Sequence, residues 1–439
     1  MADLTSGTAF ESLDPRFEAM VIEEQTDSLA TRLAESGIQA NTAVRDRQIW
    51  FLVFRDGRMG LATGSMATQE ATRQMIREAT QAWGKSGHSS PRQPPAMIEP
   101  PFQPVPDPDV INENPRQRTE QLKTQIDGIR RHDLDLAGAF TSSVVRRRIL
   151  STAGADLYAA NSLVDLSCTV TAQGHGSGWA RQFSTHMNDI DPAALIRRAG
   201  GKALQSRNAK PLTRGRMTVI LEPAAVGMLL LFLGFLSFGG RGFNRGTSFL
   251  SGRLGKKVLP DHVTIWDNSS DPRIFGWPFD YEGVPVQPVI LVENGFARGV
   301  VYDRETALQG STLSTGHALA PDNHFGPYPR CLHMRGGDRP VSNLIASLDH
   351  AILITRFWYI NYVNPMQTMV TGSTRDGTFE IRSGRITRAV SDMRFEESIL
   401  EAFARSIAVS TETEYVRQFG STLHVPWMVI PDFNFTEVI

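Results

Sequence analysis

Between Pro223 and Gly240 the chain carries no charged residue, in a polypeptide whose mean hydropathy is only -0.22. The run PAAVGMLLLFLGFLSFGG is apolar all round, so it belongs either in lipid or in a large core. A membrane span needs roughly 20 mostly apolar residues, and this run falls slightly short. Pro223 suits the first helical position, where its missing N–H costs nothing, and Gly239, Gly240 and Gly242 make a strong stop. The pattern therefore predicts a four-turn core helix over residues 223–238.

Elsewhere the periodicity predicts both kinds of element. RFEAMVIEEQTDSLATRLAESG reads as an amphipathic helix ending at Gly37. RQIWFLVFRDGRMGLATGS reads as two strands turning at Asp56-Gly57, and ATQEATRQMIREATQAWGKSG as a second helix. Residues 88–115 hold nine of the 25 prolines and read as an extended connector. A helix follows at 116–131, then strands at 142–151 and 163–172, the glycine-rich turn GHGSG, a helix in ALIRRAGGKALQSR and the strand MTVILE. Beyond Gly242 the pattern turns to strands, among them HVTIWD, HAILITRFW and GTFEIRSGRITRAV, with hairpin signals at ENG, RDG and RSG and one late helix at 396–407. The expected fold class is α+β, with an N-terminal mixed α/β domain, helices packed on a sheet, over residues 1–210. A strand-rich, barrel-like domain containing the buried helix is expected over 211–439.

Composition narrows the function classes. With 41% hydrophobic and 21% charged residues, 439 positions suffice for two or three cored domains, and a net charge of -1 provides no global field to recruit nucleic acid or anionic lipid. Arg146, Arg147 and Arg148 read as a solvated strand end. Two cysteines, Cys168 and Cys331, are too few for a disulfide framework and fit a reducing cytosol. The acidic N-terminus does not resemble a signal peptide.

Familiar catalytic motifs are missing. No His precedes a Glu, and neither a G-x-S-x-G elbow nor a Walker loop occurs. GGRGFNRG lacks the spacing of a dinucleotide fingerprint and reads as a loop. Asp280 and Glu282 read as a capped turn rather than as paired catalytic carboxylates. His317, His324, Cys331 and His333 are close in sequence and of ligand type, but their spacing is not that of a compact zinc site.

The apolar helix is followed by FNRGTSFLSGRLGKKV, FDYEGVPVQPVILVENGFARGVVYDRETA, STGHA and PRCLHMRGGD. In this order the segments resemble the TldD/PmbA family, long called modulators of DNA gyrase, and the likeness extends more weakly over nearly the whole chain. In that family the TldD-type subunit carries His-Glu-x-x-x-His on this helix and a cysteine near the C-terminus as a third zinc ligand. The resemblance places the motif positions at Leu231, Phe232 and Leu236, and the tail STLHVPWMVIPDFNFTEVI has no cysteine. It therefore implies a TldE (PmbA)-type, non-catalytic subunit with no cofactor of its own. Its partner would be a zinc-bearing TldD-type subunit, and together they would form a cytoplasmic metalloprotease for unfolded or small peptides, including ribosomally made peptide products.

On that reading this chain walls a cavity and holds an extended peptide, with Phe243, Asn244, Arg245, Glu282 and His317 as wall residues. Arg245 and Glu282 also read as ion-pair formers, and His317 as a satisfied loop histidine. Two rival readings stay open: a scaffold or regulatory homodimer without proteolytic role, and an independent metal enzyme built on His317 to His333. Neither nucleic acid nor membrane is an expected partner.

Overall fold

The computed structural model describes residues 9–85, 93–172 and 175–439. The start of the proline-rich connector and Gln173 and Gly174 at the GHGSG turn lie outside the described residues, as do the first eight positions. From residue 93 the connector is largely irregular, touching the first sheet through an isolated bridge between Ala96 and Gly154.

The first sheet is antiparallel, in the order β3-β2-β1-β4-β5-β6. Its strands are β1 (Glu18–Ala34), β2 (Gly37–Arg55), β3 (Arg58–Gly64), β4 (Leu134–Ser151), β5 (Asp156–Ala172) and β6 (Gly176–Ser184). The helix expected before Gly37 is thus strand β1. It pairs along its whole length with β2 and, over Met20 to Leu33, with β4. Two antiparallel ladders override a helical pattern that was only a weak prior. Its glycine closes a tight turn rather than a helix, because Glu35 and Ser36 both have positive φ, as a type I′ hairpin requires. The Asp56-Gly57 hairpin forms as expected, with Arg55 opposite Arg58.

Alternation gives this sheet two buried faces. On one, Val21, Ile49, Phe51 and Val53 pack under helix α1 (Gln69–Lys85). Phe140, Val164 and Leu166 on that face share a core with residues of three helices: α2 (Pro108–Ile111), α3 (Pro115–Arg130) and α4 (Pro192–Gln205). The opposite face, with Met20, Ile22, Trp50, Leu52 and Ile149, packs on Trp277, Phe279 and Tyr281 from the second half of the chain.

The second sheet has eleven strands: β7 (Gly215–Leu221), β8 (Ile265–Asp267), β9 (Val289–Glu293), β10 (Phe296–Ala297), β11 (Cys331–Met334), β12 (His350–Asn364), β13 (Met369–Arg382), β14 (Arg385–Ala389), β15 (Met393–Ser398), β16 (Ala408–Gln418) and β17 (Ser421–Val438). It is barrel-like in that β7 pairs with both β12 and β17, so the order β17-β15-β13-β12-β7 curls back on itself. The molecule is therefore α+β and strand-rich, as expected. The apolar run forms α5 (Pro223–Ser237), packed against β17, β12 and β16. Leu229, Leu230, Leu231 and Leu233 are fully buried, while Met228, Phe235 and Leu236 reach its half-buried rim. Among the described residues no helix is long and apolar enough to cross a membrane.

RSG turns β13 into β14, but RDG does not make a hairpin: β13 runs through it. Asp376 and Gly377 adopt positive φ where the β12 register shifts, which is a bulge. The bulge turns Asp376 inward to accept hydrogen bonds from Arg356 and from Ser177 of the first sheet. The late helix is shorter than expected, Ile399–Ala404.

Asp392 lies behind this bulge, accepting hydrogen bonds from Thr378 at 3.2 Å and Thr374 at 3.3 Å. Burial, with the nearby Asp376 charge, raises its carboxyl from 3.8 to about 6. The folded protein therefore holds this proton where the unfolded chain releases it, and stability falls as pH rises from 3.8 to about 6. Asp392→Asn keeps the acceptor oxygen without the charge. It is expected to stabilise the protein at pH 8 by up to roughly 3 kcal/mol and to match the parent at pH 4, as read from urea midpoints.

Candidate functional site

Helix α5 begins at a charged junction. Glu222 precedes Pro223 and is buried, and its carboxylate takes Lys202 Nζ at 2.6 Å, Arg198 Nη2 at 3.0 Å and the Thr355 hydroxyl at 3.1 Å. A carboxylate at a helix N-terminus also meets the positive end of the helix dipole. The far end is set by close approach: a Cβ on Gly240 would stand 2.4 Å from Tyr302 Cδ1 and one on Gly239 2.1 Å from Pro327 O.

The three motif positions present only hydrocarbon. Leu231 is fully buried and Leu236 half-buried. The Phe232 ring lies 5.0 Å from that of Tyr362 and 6.3 Å from that of Phe419, and Phe235 lies 4.5 Å from Tyr328. An aromatic patch with Phe419 exposed stands where a ligand set would be needed. Zinc takes thiolate, imidazole or carboxylate donors, and these side chains do not fit it.

The remaining expected residues divide. Phe243 packs at the edge of the main core from the short helix α6 (Gly240–Asn244), Asn244 donates to Thr306 O at 2.7 Å, and Arg245 is exposed. Glu282 accepts from the Arg304 backbone N–H at 2.9 Å, at the start of helix α7 (Arg304–Gln309). Asp280 caps its own turn, taking the N–H groups of Glu282, Val284 and Ala318 at 2.8 to 2.9 Å. His317 is buried and satisfied on both nitrogens, Nε2 on Asp267 at 3.0 Å and Nδ1 at the Thr315 carbonyl at 2.9 Å. Glu282 and His317 line two neighbouring clefts that share Tyr281 and Ala318; Phe243, Asn244 and Arg245 line neither.

The His317, His324, Cys331 and His333 grouping does not assemble. His324 is exposed, His317 is committed to Asp267, and burial pushes the Cys331 thiol far up. Of the four, only His333 belongs to a group of three possible metal ligands among the described residues, with Asp271 and His424.

Arg147 is the cleft-lining residue that the pattern concealed. It is not a solvated strand end: its side chain is 2% exposed, because alternation along β4 turns it toward the second half. Its guanidinium lies 3.8 Å from the centre of the Tyr281 ring and 4.2 Å from that of Trp277, and its Nη2 is 2.8 Å from Glu24. Burial alone would raise the Glu24 carboxyl, but Arg147 and the Tyr281 hydroxyl outweigh it and hold Glu24 below its usual range. Arg147 also lines the His317 cleft together with Tyr328 and Arg330.

With this geometry in place, likeness to known proteins becomes informative. Residues 214–437 match the PmbA/TldA metallopeptidase C-terminal domain, and residues 114–207 match the central domain of the same proteins. The chain belongs to the TldD/PmbA family. The crystal structure of TldE from Thermococcus kodakarensis superposes with a TM-score of 0.86 over 98% of each chain at 18% identity, a likeness of fold. A metalloprotease of Methanothermobacter thermautotrophicus is 26% identical over 51% of this chain and 49% of its own length. The metalloprotease TldD homolog of Buchnera aphidicola is 25% identical over 65% of this chain and 62% of its own length. The chain thus aligns with less than two thirds of these curated family members.

Arg147→Ala would leave Glu24 unpaired and open the contact between the two halves. A loss of about 3–5 kcal/mol is expected, measured as a lowered urea midpoint, whereas Arg148→Ala, at a half-exposed pair with Asp156, should cost under about 1 kcal/mol.

Proposed function

We propose that this chain is a TldE/PmbA-type subunit, without zinc ligands on its apolar helix, that completes a metallopeptidase with a TldD-type, zinc-bearing partner. The observation that carries the reading is the hydrocarbon at Leu231, Phe232 and Leu236, on a 15-residue helix packed in the core of the second sheet. The TldE fold likeness supports it. In this reading the partner supplies the metal and its water, and the present chain contributes walls and a sheet.

The substrate on this reading is an unfolded or small peptide, including ribosomally made peptide products. Extended peptides are held through main-chain hydrogen bonds to a strand with a free edge, which reads side chains weakly. Strand β14 pairs on one side within the second sheet, whereas the outer side of β10 is taken by residues 255–257. The clefts beside Glu282 and His317 add polar groups and the Arg147 and Arg330 guanidinium groups. Two free cysteines, both buried, fit a cytosolic setting.

The test mixes the purified chain with the zinc-motif family member of its own genome. Co-elution as a complex, with hydrolysis of unstructured peptides at least an order of magnitude above that of either chain alone, is the expected result. Hydrolysis by this chain alone, or the absence of any complex, would overturn the reading; a complex without hydrolysis would favour a scaffold.

A further inference from the structure

We propose that Asp271, His333 and His424 form a site for one divalent transition-metal ion of the zinc class, on the face of the second sheet that points away from helix α5. One ligand atom from each lies within 4.8 Å of the other two. Zinc bonds of about 2.0–2.1 Å in tetrahedral geometry bring ligand atoms to about 3.3 Å from one another. Small side-chain rotations close that gap.

The strands place the ligands. β11 pairs in parallel with β17, with His333 directly opposite His424, and Trp266 of β8 lies opposite His333 on the other side. The alternating residues Leu332 and Leu423 are fully buried in the main core, so the two imidazoles share the other face. Asp271 enters from the loop after β8.

Each ligand is also oriented from behind. His333 Nε2 lies 3.2 Å from the Asn268 carbonyl and His424 Nε2 lies 2.7 Å from the Thr413 hydroxyl, so each ring is held through one nitrogen. Such outer hydrogen bonds fix the tautomer and aim of metal-binding histidines. The His333 ring stacks on Trp266 at 5.1 Å and the His424 ring on Tyr415 at 4.2 Å, each within 8° of parallel. Asp271 Oδ2 accepts the Tyr415 hydroxyl at 2.8 Å, and Oδ1 accepts the Arg273 N–H at 3.0 Å. The Arg273 side chain, 3.6 Å from Asp271 and over the Tyr415 ring at 4.7 Å, is exposed.

Two imidazoles and one carboxylate suit zinc and its neighbours better than calcium or magnesium, which prefer all-oxygen shells. A bound ion would tie the loop at 268–274, β11 and the start of β17 together. This site is separate from the helix positions Leu231, Phe232 and Leu236 and needs no partner.

The experiment uses the full chain, stripped with a chelator and titrated with Zn(II) by calorimetry and with Co(II) by visible absorption. One equivalent is expected to bind with micromolar or tighter affinity and to raise the thermal midpoint. Asp271→Asn and His424→Phe, the latter preserving the ring stack on Tyr415, are each expected to weaken binding more than tenfold, and Thr413→Val to weaken it less. His324→Ala, at an exposed loop, should leave it unchanged. No uptake by the well-folded parent chain, or uptake unaffected by Asp271→Asn and His424→Phe, overturns the proposal. Because no peptide is hydrolysed in this assay, a negative result leaves the partner-subunit reading standing, and an inactive complex leaves the metal site standing.

Discussion

Arg147 and Glu24 face one another across the ladder between β4 and β1, and the second half of the chain closes over that pair with Trp277 and Tyr281. A guanidinium buried this deeply costs several kcal/mol unless a charge and hydrogen bonds meet it. Glu24 supplies the charge, the aromatic faces supply the quadrupole, and the Tyr281 hydroxyl donates to Glu24 at 3.0 Å. The pair exists only in this register. A slip of one residue would turn Arg147 to the helix-covered face and take Arg146 and Arg148 from their own partners Asp27 and Asp156. Strand pairing in the first half and docking of the second half are therefore one condition, and Tyr281, which enters both clefts, is positioned by it.

Helix α5 makes the complementary connection. Its body is hydrocarbon inside the second sheet, while Glu222 at its start is held by Lys202 and Arg198 of α4. Burial lowers the Lys202 ammonium and Glu222 works against that shift, so the pair holds the helix start against the first half. Along the helix body small residues permit close packing: a Cβ on Gly227 would come within 2.6 Å of Val416 Cγ2, and one on Gly234 within 3.2 Å of Leu332 Cδ1. A metal-binding helix must keep room for water and substrate. Here Phe232, Tyr362 and Phe419 take that room.

Local features were legible in the sequence. The uncharged run with Pro at its start and glycines at its end gave α5 nearly to the residue, and Asp56-Gly57 gave its hairpin, because both signals act within a few residues. β1 was misread because its charges recur at helical spacing while its two partner strands lie elsewhere in the chain, and RDG was misread because a bulge and a turn both call for positive φ. At the candidate site, Glu282 and His317 reached the clefts, but Arg147 was hidden in a run of three arginines whose alternation has meaning only once the sheet faces are known. His424 sits in the cysteine-free tail, and its relation to His333 depends on a parallel pairing that no local pattern encodes.

The same strands then explain why the chemistry of the two faces is independent. Leu332 and Leu423 point into the core around α5, while His333 and His424, one residue further along each strand, point away from it. Period-two alternation separates the environments completely over one residue. Leucine and phenylalanine on the helix bear on what β11 and β17 pack against on the inner face and place no demand on the outer one. Imidazoles there are constrained instead by Trp266, Tyr415, Thr413 and Asn268. The helix side and the histidine side of these strands can accordingly vary without either arrangement disturbing the other.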